Sequence, residues 1–273
     1  ILTIAHNAGE LGLSRAALVG MLTPICLAAV GFLAWAVWSL RPGAIAVGVF
    51  AMVCLQGMLG ALRVTEISPA FGTVHGVMAQ LILGATAVLA ARLSGTWPGV
   101  RSVPAETAGA ATGIAKAAAA AFICLLIQLS LAALFRHTGA AHALWTHVGF
   151  SLFAMIALGV LGFSLQRADA FSDGGRVLRR IGTAVIACTV LQMSLGFVAW
   201  AVVGDGGGPE RVVMHDELST AADPNILRTI FATSHQANGA LLMGLTWAAW
   251  AWASGVVRAG RGSATAQGFG GST

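Results

Sequence analysis

The sequence predicts an all-α integral membrane protein: seven visible transmembrane helices of an eight-helix bundle made of two pseudo-symmetric four-helix halves. Three observations carry this. Of 273 residues, 57% are hydrophobic and 9% charged, with a mean hydropathy of +0.83, whereas a soluble domain carries roughly 25% charged residues. Seven mostly apolar stretches, each near the roughly 20 residues a bilayer requires, follow one another at 16–40, 44–63, 72–93, 112–136, 143–166, 181–203 and 229–256. A glutamine–histidine pattern then recurs across successive pairs of these stretches.

Charge orients the spans. One set of loops and span ends holds ten basic residues (Arg41, Arg92, Arg101, Lys116, Arg167, Arg176, Arg179, Arg180, Arg258, Arg261) against three acids, Glu106, Asp169 and Asp173. The other set holds five basic residues against seven acids. Basic loops stay in the cytoplasm. A multi-pass membrane protein is therefore expected, with its carboxyl end cytoplasmic and its amino-terminal region outside. All seven histidines (His6, His75, His137, His142, His147, His215, His235) then fall on or near the outer face. The fifteen Lys and Arg are scattered between apolar runs, which excludes nucleic acid as a partner and leaves membrane lipid. Cys26, Cys54, Cys124 and Cys188 all lie inside spans, so apolar packing is expected of them rather than a loop disulfide or a zinc site. Trp35, Trp38 and Trp97 are expected as anchors at the cytoplasmic boundary and Trp145 at the outer one.

The repeat organises the chain. LQGMLGALR (55–63), IQLSLAALFR (127–136) and LQMSLGFVA (191–199) each place Leu three residues after Gln, then Gly or Ala, near the outer end of a span. Each is followed by a helix that opens with histidine: His75, His147 and His235. The Gln-to-His separation is 19 residues in the first two copies and 43 in the third. The unit is a helical hairpin, and three hairpins account for spans two to seven. Span one is left without its partner, so the repeat predicts a further helix ahead of residue 1. The expected division is 1–95 for a first half lacking its first helix, 96–111 for a cytoplasmic linker, 112–257 for a second half, and 258–273 for a cytoplasmic tail.

Imidazole at the edge of a hydrocarbon core is costly unless paired, wet or coordinated, and neutral imidazole is a common metal ligand. Two histidines on facing helices at one depth can supply both axial ligands of a haem iron. His147 and His235 are the candidate pair. The alternative is a pair of interfacial histidines bonded to loop carbonyls or water. His75 is their counterpart in the first half, where positions 10–15 read ELGLSR and offer no histidine. His6 reaches that site only if the chain bends. His137 and His142 are expected in a short outer turn, solvated or bonding a cofactor edge, and His215 at the surface. Arg63 and Arg136 end their helices at matching places, either capping the helix carboxyl end or pairing with haem propionates. Glu10 is either an exposed carboxylate or an acid–base group over a cofactor.

Taken together, LGALRVTEISPAFGTVHGVMAQL (59–81), FRHTGAAHALWTH (135–147) and ATSHQANGALLMG (232–244) resemble the haem A synthase family, in particular its bacterial members. The resemblance implies an eight-helix bundle of two halves in a bacterial inner membrane, with the histidine-rich face periplasmic. It implies a b-type haem between His147 and His235 in the second half. It also implies a first-half active site with His75 and Glu10, where haem O is oxidised at a ring methyl to the formyl of haem A. Glu10 matches the family's Glu, while Leu13 stands where its histidine belongs, and the outer-loop cysteine pairs of some members are absent.

Two functions follow as expectations. One is a haem A synthase-like oxidoreductase, with an electron donor the sequence does not name. The other is a non-catalytic haem-binding or structural subunit of a respiratory or photosynthetic membrane complex. A carrier of electrons across the bilayer would need haem ligands near both faces. A retinal-type receptor would need a lysine in the last span, but the only lysine is Lys116. A transporter more typically has broken helices and polar midplane residues.

Overall fold

A computed structural model of the chain describes residues 15–66, 69–95, 97, 107–168, 172–204 and 226–270. Seven α-helices follow in order: α1 (Arg15–Ser39), α2 (Pro42–Glu66), α3 (Pro69–Leu93), α4 (Ala108–Thr138), α5 (Ala141–Gln166), α6 (Ser172–Gly204) and α7 (Ile226–Gly270). No strand occurs among the described residues. Among the described residues, six helices are long and apolar enough to cross a membrane, over Pro42–Leu62, Ala70–Leu93, Gly109–Thr138, Ala141–Gln166, Gly175–Ala201 and Thr229–Gly260. The seventh, α1, contributes the shorter apolar stretch Thr23–Ser39. The protein has the build of a multi-pass membrane protein. The predicted helix ahead of residue 1 lies outside the described residues.

The breaks between helices follow local chemistry. Leu40 takes a left-handed conformation (φ 54°) after α1, and Pro42 and Pro69 each occupy the first position of a helix, where a missing N–H costs nothing. Gly139 (φ 67°) closes α4 by donating its N–H to Phe135 O at 2.8 Å; a left-handed glycine after a helix satisfies carbonyls that would otherwise face the apolar phase. α7 continues through Gly270, well past the predicted span end at 256, so much of the stretch expected as a tail is helix. α4 likewise begins at Ala108, inside the expected linker.

Helices α4, α5, α6 and α7 form a closed ring, each packing on its two neighbours. α3 packs against both α7 and α4, and carries α2 and then α1 on its far side. Small residues set the close approaches. A Cβ at Gly182 would lie 2.8 Å from Leu165 Cβ and 3.0 Å from Gly162 O, and one at Gly162 would lie 2.6 Å from Ile186 Cγ1, so α5 and α6 nearly touch backbones there. Between α3 and α7, a Cβ at Gly84 would lie 2.7 Å from the Trp247 indole, which also takes the edge of Phe122 at 4.9 Å and 90°. The core is aliphatic, with Ile45, Met52, Leu161, Leu165, Leu178, Leu242 and Val256 fully buried.

The outer surface is equally apolar: Phe50, Phe163 and Phe197 are all more than 60% exposed, as is Trp38. A water-facing surface of this kind would aggregate, whereas lipid tails accept it. Trp35, Trp38 and Trp145 are exposed as anchors should be, but Trp97 is 5% exposed and stacks on Trp252 at 5.0 Å. Its role is packing, because Gly255 leaves α7 open to the ring. Cys26, Cys54, Cys124 and Cys188 are free thiols.

Substituting Gly182→Leu inserts a side chain where no space exists, and overpacking of a tight core costs about 1–3 kcal/mol. Thermal unfolding of the purified protein in detergent should show a lowered midpoint for Gly182→Leu, whereas Gly159→Leu, where a Cβ meets nothing within 4 Å, should leave it near that of the unaltered protein.

Candidate functional site

The glutamines of the repeat are the residues that hold the histidines. Gln56 Nε2 donates to His75 O at 2.9 Å, and Gln128 Nε2 donates to His147 O at 2.8 Å. In the third copy Gln192 Nε2 lies 3.2 Å from His235 Nε2. A glutamine amide within an apolar helix must find a partner inside the protein, and in all three hairpins that partner is the histidine residue of the next helix. The small residue four positions after Gln makes room for the ring. A Cβ at Gly60 would lie 3.3 Å from His75 Cε1, and one at Gly196 would lie 3.1 Å from His235 Cε1.

His147 and His235 meet. They sit near the starts of α5 and α7, at opposite corners of the four-helix ring, and their ring centroids lie 6.4 Å apart with planes at 75°, an edge-on approach. Each ring is oriented by hydrogen bonds. His147 Nδ1 donates to Gln128 O at 3.0 Å, which leaves Nε2 as the lone-pair nitrogen. Around His235 a short relay runs inward from α6. Asn238 Nδ2 donates to Cys188 O at 2.8 Å and to Gln192 Oε1 at 2.7 Å. That fixes the Gln192 amide with its N–H toward His235, so Nε2 of His235 is the acceptor and its proton lies on Nδ1. His235 Nδ1 is buried without a hydrogen-bond partner.

In their neutral forms both imidazoles would carry the lone pair on Nε2, the form in which histidine binds a metal. Two imidazoles on opposite sides of one metal, at about 2 Å from each nitrogen, would hold their centroids about 6 Å apart. The spacing here fits that arrangement. Binding at His235 Nε2 would take the place of the Gln192 amide proton. Among the described residues no group of three or more His, Cys, Asp or Glu could hold a bare metal ion. A haem brings four nitrogens of its own and asks the protein for only two, so the donor set fits haem better than a free cation.

The other sequence candidates are distributed around this pair. Arg136, at the end of α4, reaches across to α7, where NH1 donates to Gln236 Oε1 at 2.6 Å. It stands in the last turn of α4, as the capping alternative expects, and its guanidinium is tied to the residue next to His235. His137 turns the other way, its ring against the backbone of Gly72 at the start of α3, where a Cβ would lie 2.6 Å from His137 Cε1. His142 is exposed at the start of α5. His75 stands at the corresponding depth of α3 with Nδ1 buried and unpartnered, as is Oε1 of Gln80. The candidates meant to complete the His75 site, Glu10 and the side chain of Arg63, lie outside the described residues, as do His6, Leu13 and His215. Asn238 was missed by sequence reasoning. A polar residue three positions after His235, on the same helix face and buried in an apolar span, was the available signal.

No family model, curated protein or solved structure matches the chain.

Substituting Asn238→Ala removes the donor to two buried acceptors. An interhelical hydrogen bond within a membrane is worth about 0.6–2 kcal/mol, so Asn238→Ala should lower stability by about 1–2 kcal/mol in reversible denaturation. The exposed hydroxyl of Ser194, which bonds only within its own helix, should be dispensable in the same measurement.

Proposed function

We propose that the chain is a haem-binding inner-membrane protein of haem A synthase type, holding a b-type haem between His147 and His235 near the periplasmic surface. The observation that carries this is the 6.4 Å approach of two lone-pair imidazoles across the α4–α7 ring. The arginine-rich loops are assigned to the cytoplasm by the positive-inside rule. The division into two equivalent halves is supported by the three Gln–His hairpins of α2–α7.

In this reading His147 and His235 hold the iron. The Gln128 carbonyl fixes the tautomer and orientation of His147, and the Asn238–Gln192 pair sets the position of His235. Arg136 supplies positive charge at the outer rim, where haem carboxylates would lie. The aliphatic interior keeps water from the ring faces, which favours electron exchange over side reactions. When bound, the haem supplies one-electron chemistry that the amino-acid side chains do not have. His75 is the ligand proposed for a second haem, the substrate haem O or product haem A, and Glu10 and Arg63 are proposed as its acid–base and propionate-binding residues.

Leu13, at the place of the family's histidine, favours a second reading in which only the second half binds haem. The protein would then be a non-catalytic subunit of a respiratory or photosynthetic complex. Extraction of haem from the purified protein, with a pyridine haemochrome assay, separates the two. Haem B together with haem O or haem A is the result expected of the oxidoreductase. Haem B alone supports the subunit, and a protein purified without haem from haem-replete cells contradicts both.

A further inference from the structure

The three hairpins share one contact plan, and the third departs from it at a single acceptor. In the first two the glutamine amide is bonded to backbone: Gln56 Nε2 donates to His75 O at 2.9 Å, and Gln128 Nε2 donates to His147 O at 2.8 Å. In the third, the amide turns to the ring, and Gln192 Nε2 lies 3.2 Å from His235 Nε2. That ring nitrogen is the one the haem reading assigns to the iron. The chain therefore holds a donor of its own at the ligand position of His235. At His147 the amide of the same repeat position sits on the carbonyl instead.

Two residues peculiar to this copy produce the departure. Three positions after the histidine, the first two copies have Met78 and Phe150, and the third has Asn238. Asn238 Nδ2 is anchored on Cys188 O at 2.8 Å and also donates to Gln192 Oε1 at 2.7 Å. That bond turns the glutamine so that its nitrogen meets the imidazole. Four positions after the histidine stand Ala79, Ser151 and Gly239. A Cβ at Gly239 would lie 3.3 Å from Gln192 Nε2, so glycine gives the turned amide its room on α7. The ring has a separate seat. A Cβ at Gly196 would lie 3.1 Å from His235 Cε1, so the imidazole packs on the α6 backbone whether or not the amide is bonded to it.

Resting on the haem reading, we propose that Gln192 is a displaceable internal partner of His235: it occupies the metal-binding nitrogen while the site is empty and moves to His235 O when the site is filled. The destination is the one its counterparts already occupy at His75 and His147. A buried N–H must keep an acceptor inside the protein. Filling the site therefore exchanges one acceptor for another and orphans no group. The two ligands are unequal as a result. His235 engages against competition from within the chain, and His147 does not meet that competition from Gln128. A metal ion that one imidazole alone would hold gains little against the amide, whereas a group held from both sides offsets the loss. Gln192 and Asn238 are in this account positioning residues that favour a two-sided occupant, a form of discrimination against the wrong ligand.

The test uses the full chain purified in detergent without haem, titrated with haem B. Gln192→Leu removes the competing donor and should raise haem affinity about 3- to 30-fold, the factor that corresponds to one interhelical hydrogen bond in a membrane. Asn238→Met gives the third copy the residue of the first, frees the amide for the carbonyl, and should shift affinity in the same direction. Gln128→Leu, whose amide bonds the backbone of His147, should give no rise. A mere prop for the ring would act with the opposite sign, so unchanged or lowered affinity in folded Gln192→Leu would overturn the proposal. A second readout needs no haem. With isotopically labelled histidine in the haem-free chain, the Nε2 resonance of His235 should move in Gln192→Leu and stay in place in Gln128→Leu. A resonance unmoved by Gln192→Leu would also overturn the proposal. An unaltered protein that takes up no haem contradicts the haem reading and the proposal with it, a failure distinct from unchanged affinity in a chain that does bind haem.

Discussion

A glutamine amide on one helix bonded to the histidine of the next is the contact that sets the geometry of this protein. In hydrocarbon, each polar group must be satisfied inside the protein. Gln56, Gln128 and Gln192 each meet that demand on the re-entering helix, at His75, His147 and His235. The same two residues pair whether 19 or 43 residues separate them, through the histidine backbone carbonyl in the first two copies and through the ring in the third. Pairing between helices, rather than the length of the connection, therefore fixes the depth at which each histidine stands. The magnitude of such bonds, about 0.6–2 kcal/mol each in membranes, is small beside the packing of whole helices. Their effect is on register and ring orientation more than on stability.

Closing α4–α7 into a ring turns that register into a site. Because α5 and α7 occupy opposite corners, two histidines placed at one depth by two separate hairpins face each other across the centre. The glycine four residues after Gln192 lets the His235 ring lie against α6, and the Asn238–Gln192 relay settles which nitrogen carries the proton. At the other end the requirement is the same and the solution differs. The carbonyls left open where α1 stops are met by arginines. The described residues are polarised along the bundle axis, with the His147–His235 pair at one end and the Arg92 and Arg258 guanidinium groups at the other.

The sequence made the helices legible because their length and apolarity leave little choice in a bilayer, and all seven predicted spans coincide with helices. The hairpin repeat was legible because glutamine is rare enough in such segments to stand out. The pairing of His147 with His235 followed from equivalent positions in successive hairpins. What could not be read was contact between elements distant in sequence. Trp97 reads as an interfacial anchor, yet it is buried, since nothing local announces the gap left by Gly255 on α7. Arg92 and Arg258 read as inside-positive charges, and their convergence on α1 depends on how α3 and α7 pack. Asn238 became meaningful only beside Gln192. The helix continuing through Gly270 lacks the apolar pattern by which the spans were found.

The central claim is that one iron sits between His147 and His235. Low-temperature electron paramagnetic resonance of the oxidised, purified protein tests it most directly. The account predicts a low-spin ferric signal from an iron with two imidazole ligands. That signal should give way to a high-spin signal, or vanish with the haem, in both His147→Ala and His235→Ala, and persist in His142→Ala. A low-spin signal that survives both substitutions would place the iron elsewhere and contradict the account.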